Sequence, residues 1–177
     1  MPPELWDVYD RQGNLTGKTK ARGVAFVDGE YYLAVGLWIV NQGGQVLIQK
    51  RTLTKKSHPG KWNITGGCAL AGEDSITACI REAHEEIGFQ FSPQDITLIE
   101  RTFTRVAFFD DYITVCDLDI SKAVLQPDEV SELRWASMDE VVDLHNAGKF
   151  MYSDVAKLEK VRGYIADTLP MNTKKGT

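Results

Sequence analysis

Three glutamates, Glu82, Glu85 and Glu86, stand at spacings of i, i+3 and i+4 in the stretch Arg81-Glu82-Ala83-His84-Glu85-Glu86-Ile87. On a helix turning about 100° per residue they fall within an arc of roughly 100°. Ile76, Ile80, Ala83 and Ile87 occupy the adjoining sector, so an apolar face is bordered by crowded carboxylates, with Arg81 on the opposite flank. Like charges at this spacing destabilise a helix by roughly 0.2–0.5 kcal/mol per pair. A solvated acidic face is the ordinary outcome of such a run. Gly66-Gly67 upstream shifts the weighing, because a pair without side chains lets a ligand approach the backbone. Hard divalent cations take carboxylate and carbonyl oxygens, and magnesium bridges protein carboxylates to substrate phosphates. The chemistry on offer is cation-assisted handling of a polyphosphate.

The elements that must hold these groups follow from periodicity and turn residues. A helix is expected over 74–87, with Asp74 or Ser75 as its cap and Gly88 as its stop. A strand over 31–40, a turn at 41–44 and a returning strand over 45–51 precede it. A polar loop over 52–61 carries Lys55, Lys56 and Lys61, and a short strand over 62–65 ends at the glycine pair. Beyond the helix, strands over 96–109 and 112–118 are joined by a turn at Asp110-Asp111, and a further strand covers 133–136. Ser137 caps a helix over 138–145, and a last helix covers 153–168. The first residues form a hairpin or arm around a turn at 11–14. Strands, one central helix, more strands and then helices define an α/β class with helices on a sheet. The expected organisation is an arm over 1–30, one domain over 31–168 and a tail over 169–177.

The chain has 177 residues and a net charge of -5, with 43% hydrophobic and 25% charged residues, a globular balance that suits a single domain. Its acidic balance excludes a generic grip on a nucleic-acid duplex. No apolar run reaches bilayer length, and no basic-then-apolar leader is visible. Three cysteines, Cys68, Cys79 and Cys116, form no C-x-x-C pair, so reduced thiols in a cytoplasmic protein are expected. The arm offers a contact for a homodimer.

The stretch 67–89, GCALAGEDSITACIREAHEEIGF, resembles the Nudix box, G-x5-E-x7-R-E-U-x-E-E-x-G-U, with U a bulky aliphatic. Gly67, Glu73, Arg81, Glu82, Glu85, Glu86, Gly88 and Phe89 stand at its fixed places; Ala83 is smaller than usual and Phe89 is aromatic. The resemblance implies an α/β/α sandwich around a mixed sheet, and hydrolysis of a nucleoside diphosphate linked to another group, dependent on Mg²⁺ or Mn²⁺. It further implies that Glu82, Glu85 and Glu86, with a carbonyl of Gly66 or Gly67, hold the metal. Glu82, Glu85 and Arg81 are the implied catalytic set, Arg81 orienting a glutamate, and Gly67, Glu73 and Gly88 support the loop. A further acid is expected from Asp110, Asp111, Glu129 or Glu132. Arg51, Lys61 and Glu129 are expected to meet a small-molecule diphosphate substrate.

The segments Glu4–Asp10, Leu37–Asn41, Gln49–Arg51 and Pro59–Trp62 resemble the Nudix branch of isopentenyl-diphosphate isomerase, which brings in a rival reaction, double-bond isomerisation. Counted from Trp62, the isomerase cysteine falls at Gly67 and its neighbouring histidine at Ala69. The expected upstream histidines fall at about Gly23 and Tyr32. With only His58, His84 and His145 in the chain, hydrolysis stands above isomerisation. His84 is expected to face solvent, and Cys68 and Cys79 to act as apolar filler. A non-catalytic nucleotide-binding module is the third reading.

Overall fold

A computed structural model describes residues 3–151 and 155–169. The most apolar segment builds strand β3 (Tyr32–Val40), whose last residues are fully buried. Its side chains alternate between two cores. Leu33, Val35, Leu37 and Ile39 point into one, and Trp38 and Val40 into the other. Period-two alternation with both faces apolar is what a strand covered on both sides requires.

Strand β4 (Val46–Arg51) returns beside it, followed by β5 (Trp62–Asn63), β6 (Thr65–Cys68), β7 (Thr97–Phe103), β8 (Ala107–Val115) and β9 (Val130–Ala136). The seven strands form one sheet in the order β5-β4-β3-β8-β7, with β6 paired to β3 and β9 to β4. The pairing of β3 with β8 is parallel and the others are antiparallel, so the sheet is mixed.

Helix α1 (Ser75–Ile87) covers one face through Ala78, Cys79, Ala83 and Ile87. Asp74 caps it by accepting from Thr77 N, and Gly88 stops it at φ 78°. A Cβ on Gly88 would lie 2.9 Å from Val124, so glycine is needed there for both conformation and space. Helices α2 (Met138–Asn146) and α3 (Val155–Thr168) cover the other face with Val141, Leu158 and Val161. Ser137 and Glu140 form a reciprocal capping box on α2. Each aliphatic so buried contributes roughly 1.5–3 kcal/mol. The result is the expected α/β/α arrangement. Before it, β1 (Leu5–Tyr9) and β2 (Leu15–Ala21) pair as a separate two-stranded hairpin.

Three expectations change. The expected strand over 62–65 is two strands, and Gly66-Gly67 lie inside β6 opposite Gly36 and Val35 rather than beyond a strand end. Asp110-Asp111 form no turn; they sit inside β8 at 1% and 0% exposure, and the chain turns between β7 and β8 instead. Successive strand residues face opposite ways, so each acid enters a different layer and meets its own cation. Arg101 grips Asp110 with two bonds of 2.6 and 2.7 Å. Lys157 of α3 pairs with Asp111, which also accepts from Trp38 Nε1 at 3.2 Å. The expected start of the last helix at residue 153 and the tail over 170–177 lie outside the described residues. Among the described residues, no helix is long and apolar enough to cross a membrane.

Candidate active site

The α1 carboxylates and the β6 glycines line one polar cavity of about 170 Å³. Glu82, Glu85, Glu86, Gly66 and Gly67 share it with Arg81, and Arg51, Lys55 and Glu129 close it from the neighbouring strand ends. β6 reaches the helix because its two central residues, Gly66 and Gly67, lack side chains. A Cβ on Gly67 would fall 2.4 Å from the Glu82 carboxylate, and one on Gly66 would fall 2.2 Å from the Val35 carbonyl oxygen.

Arg81 organises the acids. Its Nε and Nη2 bond Glu73 at 2.8 and 3.0 Å, and its Nη1 bonds Glu82 and Glu85, each at 2.9 Å. Nη2 also donates to the Cys68 carbonyl at 3.0 Å, tying the helix to β6. A helical wheel puts Arg81 on the flank away from the glutamates; its length carries the guanidinium back across. Burial works against its charge, yet the Glu73 hydrogen bond and the Glu82 charge outweigh that and raise its pKa. Glu73 further accepts from Leu70 N at 2.9 Å, which fixes the loop before the helix.

Glu86 is different. It is 3% exposed and accepts from two neutral donors, Gln49 Nε2 at 2.7 Å and Gly66 N at 2.9 Å. Among the described residues it has no ion pair. Burial pushes its pKa up to about 8 against the help of those two bonds. Burial also raises Glu82, opposed by the Arg81 charge. A buried carboxylate facing a polar cavity without a cation fits a divalent metal, which would supply the missing charge and take carboxylate oxygens as ligands. Among the described residues, no three Asp, Glu, His or Cys side chains already converge as a ligand set; Arg81 bridges Glu82 and Glu85 instead.

The other expected residues separate. Arg51 lines the cavity and donates to the Ser57 carbonyl at 3.2 Å. Glu129 lines it and pairs with Lys55. Lys61 is not among the lining residues, and Lys55 stands there in its place. Glu132 pairs with Lys50 at 3.5 Å away from the cavity, and Asp110 and Asp111 are committed to the core pairs above. His84 faces solvent. Burial pushes the Cys68 and Cys79 thiols up to about 12, so neither supplies a thiolate near neutrality.

Several wall residues escape a sequence reading. Glu4, Trp6 and Arg22 come from the hairpin, so the arm closes the cavity of its own chain. Nothing in its alternation says so. Asn63 and Gln49 carried one signal, polar residues inside apolar strands, which marks a buried polar group with a task.

A mixed sheet between helices, with an acid-rich helix against a glycine strand, places the chain in the α/β/α class. Within that class, the NUDIX domain family model matches residues 30–156, and the chain belongs to this family. An uncharacterized Nudix hydrolase of Listeria monocytogenes is 36% identical over 157 residues, 84% of this chain and 88% of that protein. An isopentenyl-diphosphate Delta-isomerase of Cutibacterium acnes is 28% identical over 150 residues, 77% of this chain and 75% of that protein. Among solved structures, that of DR0079 from Deinococcus radiodurans superposes with a TM-score of 0.73 at 21% identity, covering 90% of this chain and 98% of that one. The chain is a Nudix hydrolase by family.

Proposed function

We propose that the protein hydrolyses the diphosphate linkage of a small molecule, a nucleoside diphosphate joined to another group or a related compound, with Mg²⁺ or Mn²⁺. The observation that carries this reading is Glu86, buried at the cavity beside Gly66 with no cationic partner among the described residues, and with Glu82 and Glu85 on the same helix. Glu82, Glu85 and Glu86 would hold the metal with a carbonyl of Gly67. A bound cation supplies charge neutralisation for phosphoryl oxygens and a more acidic water.

The chain's own residues do the rest. Arg81 keeps Glu82 and Glu85 from splaying apart by its two 2.9 Å bonds. Arg51 and Lys55 also line the cavity and offer positive charge to the phosphate oxygens, as guanidinium and ammonium groups do for anions. Glu85 is the most exposed of the three acids, at 47% for its side chain, and accepts the proton of the attacking water. The water oxygen bonds phosphorus as the anhydride P–O bond breaks, and the second phosphate leaves with the bond electrons.

Double-bond isomerisation lacks support at this site, because no histidine is among the cavity-lining residues and Gly67 and Ala69 stand at the isomerase cysteine and histidine positions. The test is a screen of diphosphate compounds with Mg²⁺ or Mn²⁺. Turnover of at least one compound, reduced at least about a hundredfold in Glu86→Gln, is expected from removal of a charged catalytic group. Equal rates in both proteins would remove Glu86 from the mechanism.

A further inference from the structure

Strand β4 opens Val46-Leu47-Ile48-Gln49, and the amide at its fourth place is buried like the aliphatics before it, at 2% exposure. Alternation puts Gln49 on the Leu47 side of the sheet, the side that α1 covers. Its backbone is paired with Asn63 on one flank and Leu133 on the other, so the side chain starts from a fixed position. Burying a primary amide among aliphatics is costly unless its polar atoms are bonded. Here they are. Nε2 donates to Glu86 at 2.7 Å and to the Ile64 carbonyl at 3.4 Å, and Oε1 accepts from Thr65 Oγ1 at a long 3.5 Å. Gln49 is not among the residues lining the polar cavity, so what it does for the site passes through Glu86.

The two donors to Glu86 converge on one atom. Gln49 Nε2 and Gly66 N both meet Oε2. Oε1 accepts from no described residue, yet it is not one of the fully buried unpartnered atoms, so it opens on the cavity that Glu86 lines. The carboxylate is held by one oxygen and presented by the other. Both donors are also uncharged, whereas Glu82 and Glu85 share the Arg81 guanidinium and Glu129 pairs with Lys55. An ammonium at position 49 would hold the same oxygen and cancel the charge that a metal ion needs. Lys50, next in the strand, falls on the opposite face, over the Trp62 ring.

We propose that Gln49 is a positioning residue for the carboxylate site: its neutral amide fixes Glu86 by Oε2, so that Oε1 faces the cavity with the negative charge undiminished. The proposal rests on the reading of Glu86 as a metal ligand. Partners that orient a ligand from behind are worth about ten- to a hundredfold in metal affinity. Two properties of Gln49 matter here, and they separate experimentally. Its reach and donor group set the orientation of the carboxylate, and its neutrality leaves the charge for the cation.

The experiment is a double-mutant cycle in Mn²⁺ affinity, read by calorimetry on wild type, Gln49→Met, Glu86→Gln and the double variant. Methionine keeps the unbranched shape of glutamine and removes the donor. Gln49→Met is expected to weaken Mn²⁺ binding about ten- to a hundredfold. On top of Glu86→Gln it should add less than about a twofold loss, because Gln49 acts through that carboxylate. Gln49→Lys restores a donor but brings a charge, and should bind Mn²⁺ no better than Gln49→Met. Wild-type affinity in a folded Gln49→Met, full additivity in the double variant, or recovery of wild-type affinity by lysine would each overturn the proposal. One measurement needs no variant to fold. In the wild type, the Gln49 side-chain amide protons should stay protected from solvent exchange and shift in the NMR spectrum as Mg²⁺ saturates the site; an unmoved or freely exchanging amide would overturn the proposal as well. Mn²⁺ binding weakened in Glu86→Gln but not in Gln49→Met would sink this proposal alone. Absence of Mn²⁺ binding by the folded wild type would sink the hydrolase reading and this proposal with it.

Discussion

Replacing Gly67 with alanine probes the contact between strand and carboxylate helix at one atom. Gly67 needs no unusual backbone angle, as it is absent from the residues with positive φ, so an added methyl acts by volume alone. The methyl carbon would sit 2.4 Å from Glu82 Cδ and 2.4 and 2.5 Å from its two oxygens. Ordinary contact needs about 3.5 Å or more, so the carboxylate must retreat by about 1 Å and loosen its bond to Arg81. The carboxylate is the far end of a flexible side chain, so the fold yields there. Overpacking of this kind costs about 1–3 kcal/mol, which for a chain of this size lowers Tm by about 2–12 °C. A displacement of about 1 Å at a reacting centre costs about a hundredfold in rate. The assay pairs thermal unfolding with kcat/KM on whichever diphosphate the screen identifies. The double variant Gly67→Ala/Glu82→Asp sharpens it, since the shorter acid withdraws by one C–C bond, about 1.5 Å. Stability should recover with a coupling of about 0.5–3 kcal/mol, while turnover stays low. Wild-type turnover in Gly67→Ala, or strict additivity in the double variant, would refute the reasoning.

Further outcomes follow from the same contacts. Gly66→Ala should fail to accumulate as folded protein, because its methyl would meet the Val35 carbonyl oxygen at 2.2 Å and backbone cannot yield as a side chain does; recovery of a cooperatively folding variant would contradict this. Lys157→Met should lower stability by about 3–5 kcal/mol in urea unfolding, since it leaves buried Asp111 without its cation; a loss under about 1 kcal/mol would show the pair to be dispensable. Cys79 is 1% exposed with its thiol pushed up to about 12 from 9.0. Between pH 9 and 12 the unfolded thiol ionises while the folded one keeps its proton. The folded state then binds more protons, and this group's contribution to stability falls as pH rises through that window. Cys79→Ala should flatten that alkaline decline, and native Cys79 should resist alkylation at pH 8. Isopentenyl diphosphate incubated with the protein and Mg²⁺ should show no double-bond shift by proton NMR; formation of the isomer would reinstate the rival chemistry.

The parts of the fold that could be read from residues alone were those with a strong period or a stereochemical marker. The alternation of β3, the helical spacing of α1, its cap at Asp74 and its stop at Gly88 all carry their geometry in side-chain type. The polar Asp110-Asp111 pair suggests an exposed turn, whereas both acids are buried, Asp110 matched by Arg101 across the adjoining strand and Asp111 by Lys157 of a helix far along the chain. The pairing of Asp111 with Lys157, 46 residues on, leaves no local trace. The acid cluster was legible because its three members lie within one helical turn or so of each other. The walls contributed by Trp6, Arg22 and Asn63 were not, since a hairpin near the start of the chain and a two-residue strand acquire their place only through tertiary packing.

Titration of Mn²⁺ into the wild-type protein and into Glu82→Gln, Glu85→Gln and Glu86→Gln, followed by calorimetry, addresses the shared carboxylate site most directly. Saturable binding that weakens at least about tenfold in each single variant, with thermal stability of the variants preserved, is the predicted result. Binding that is absent from the folded wild type, or undiminished in all three variants, would contradict a metal held by these glutamates.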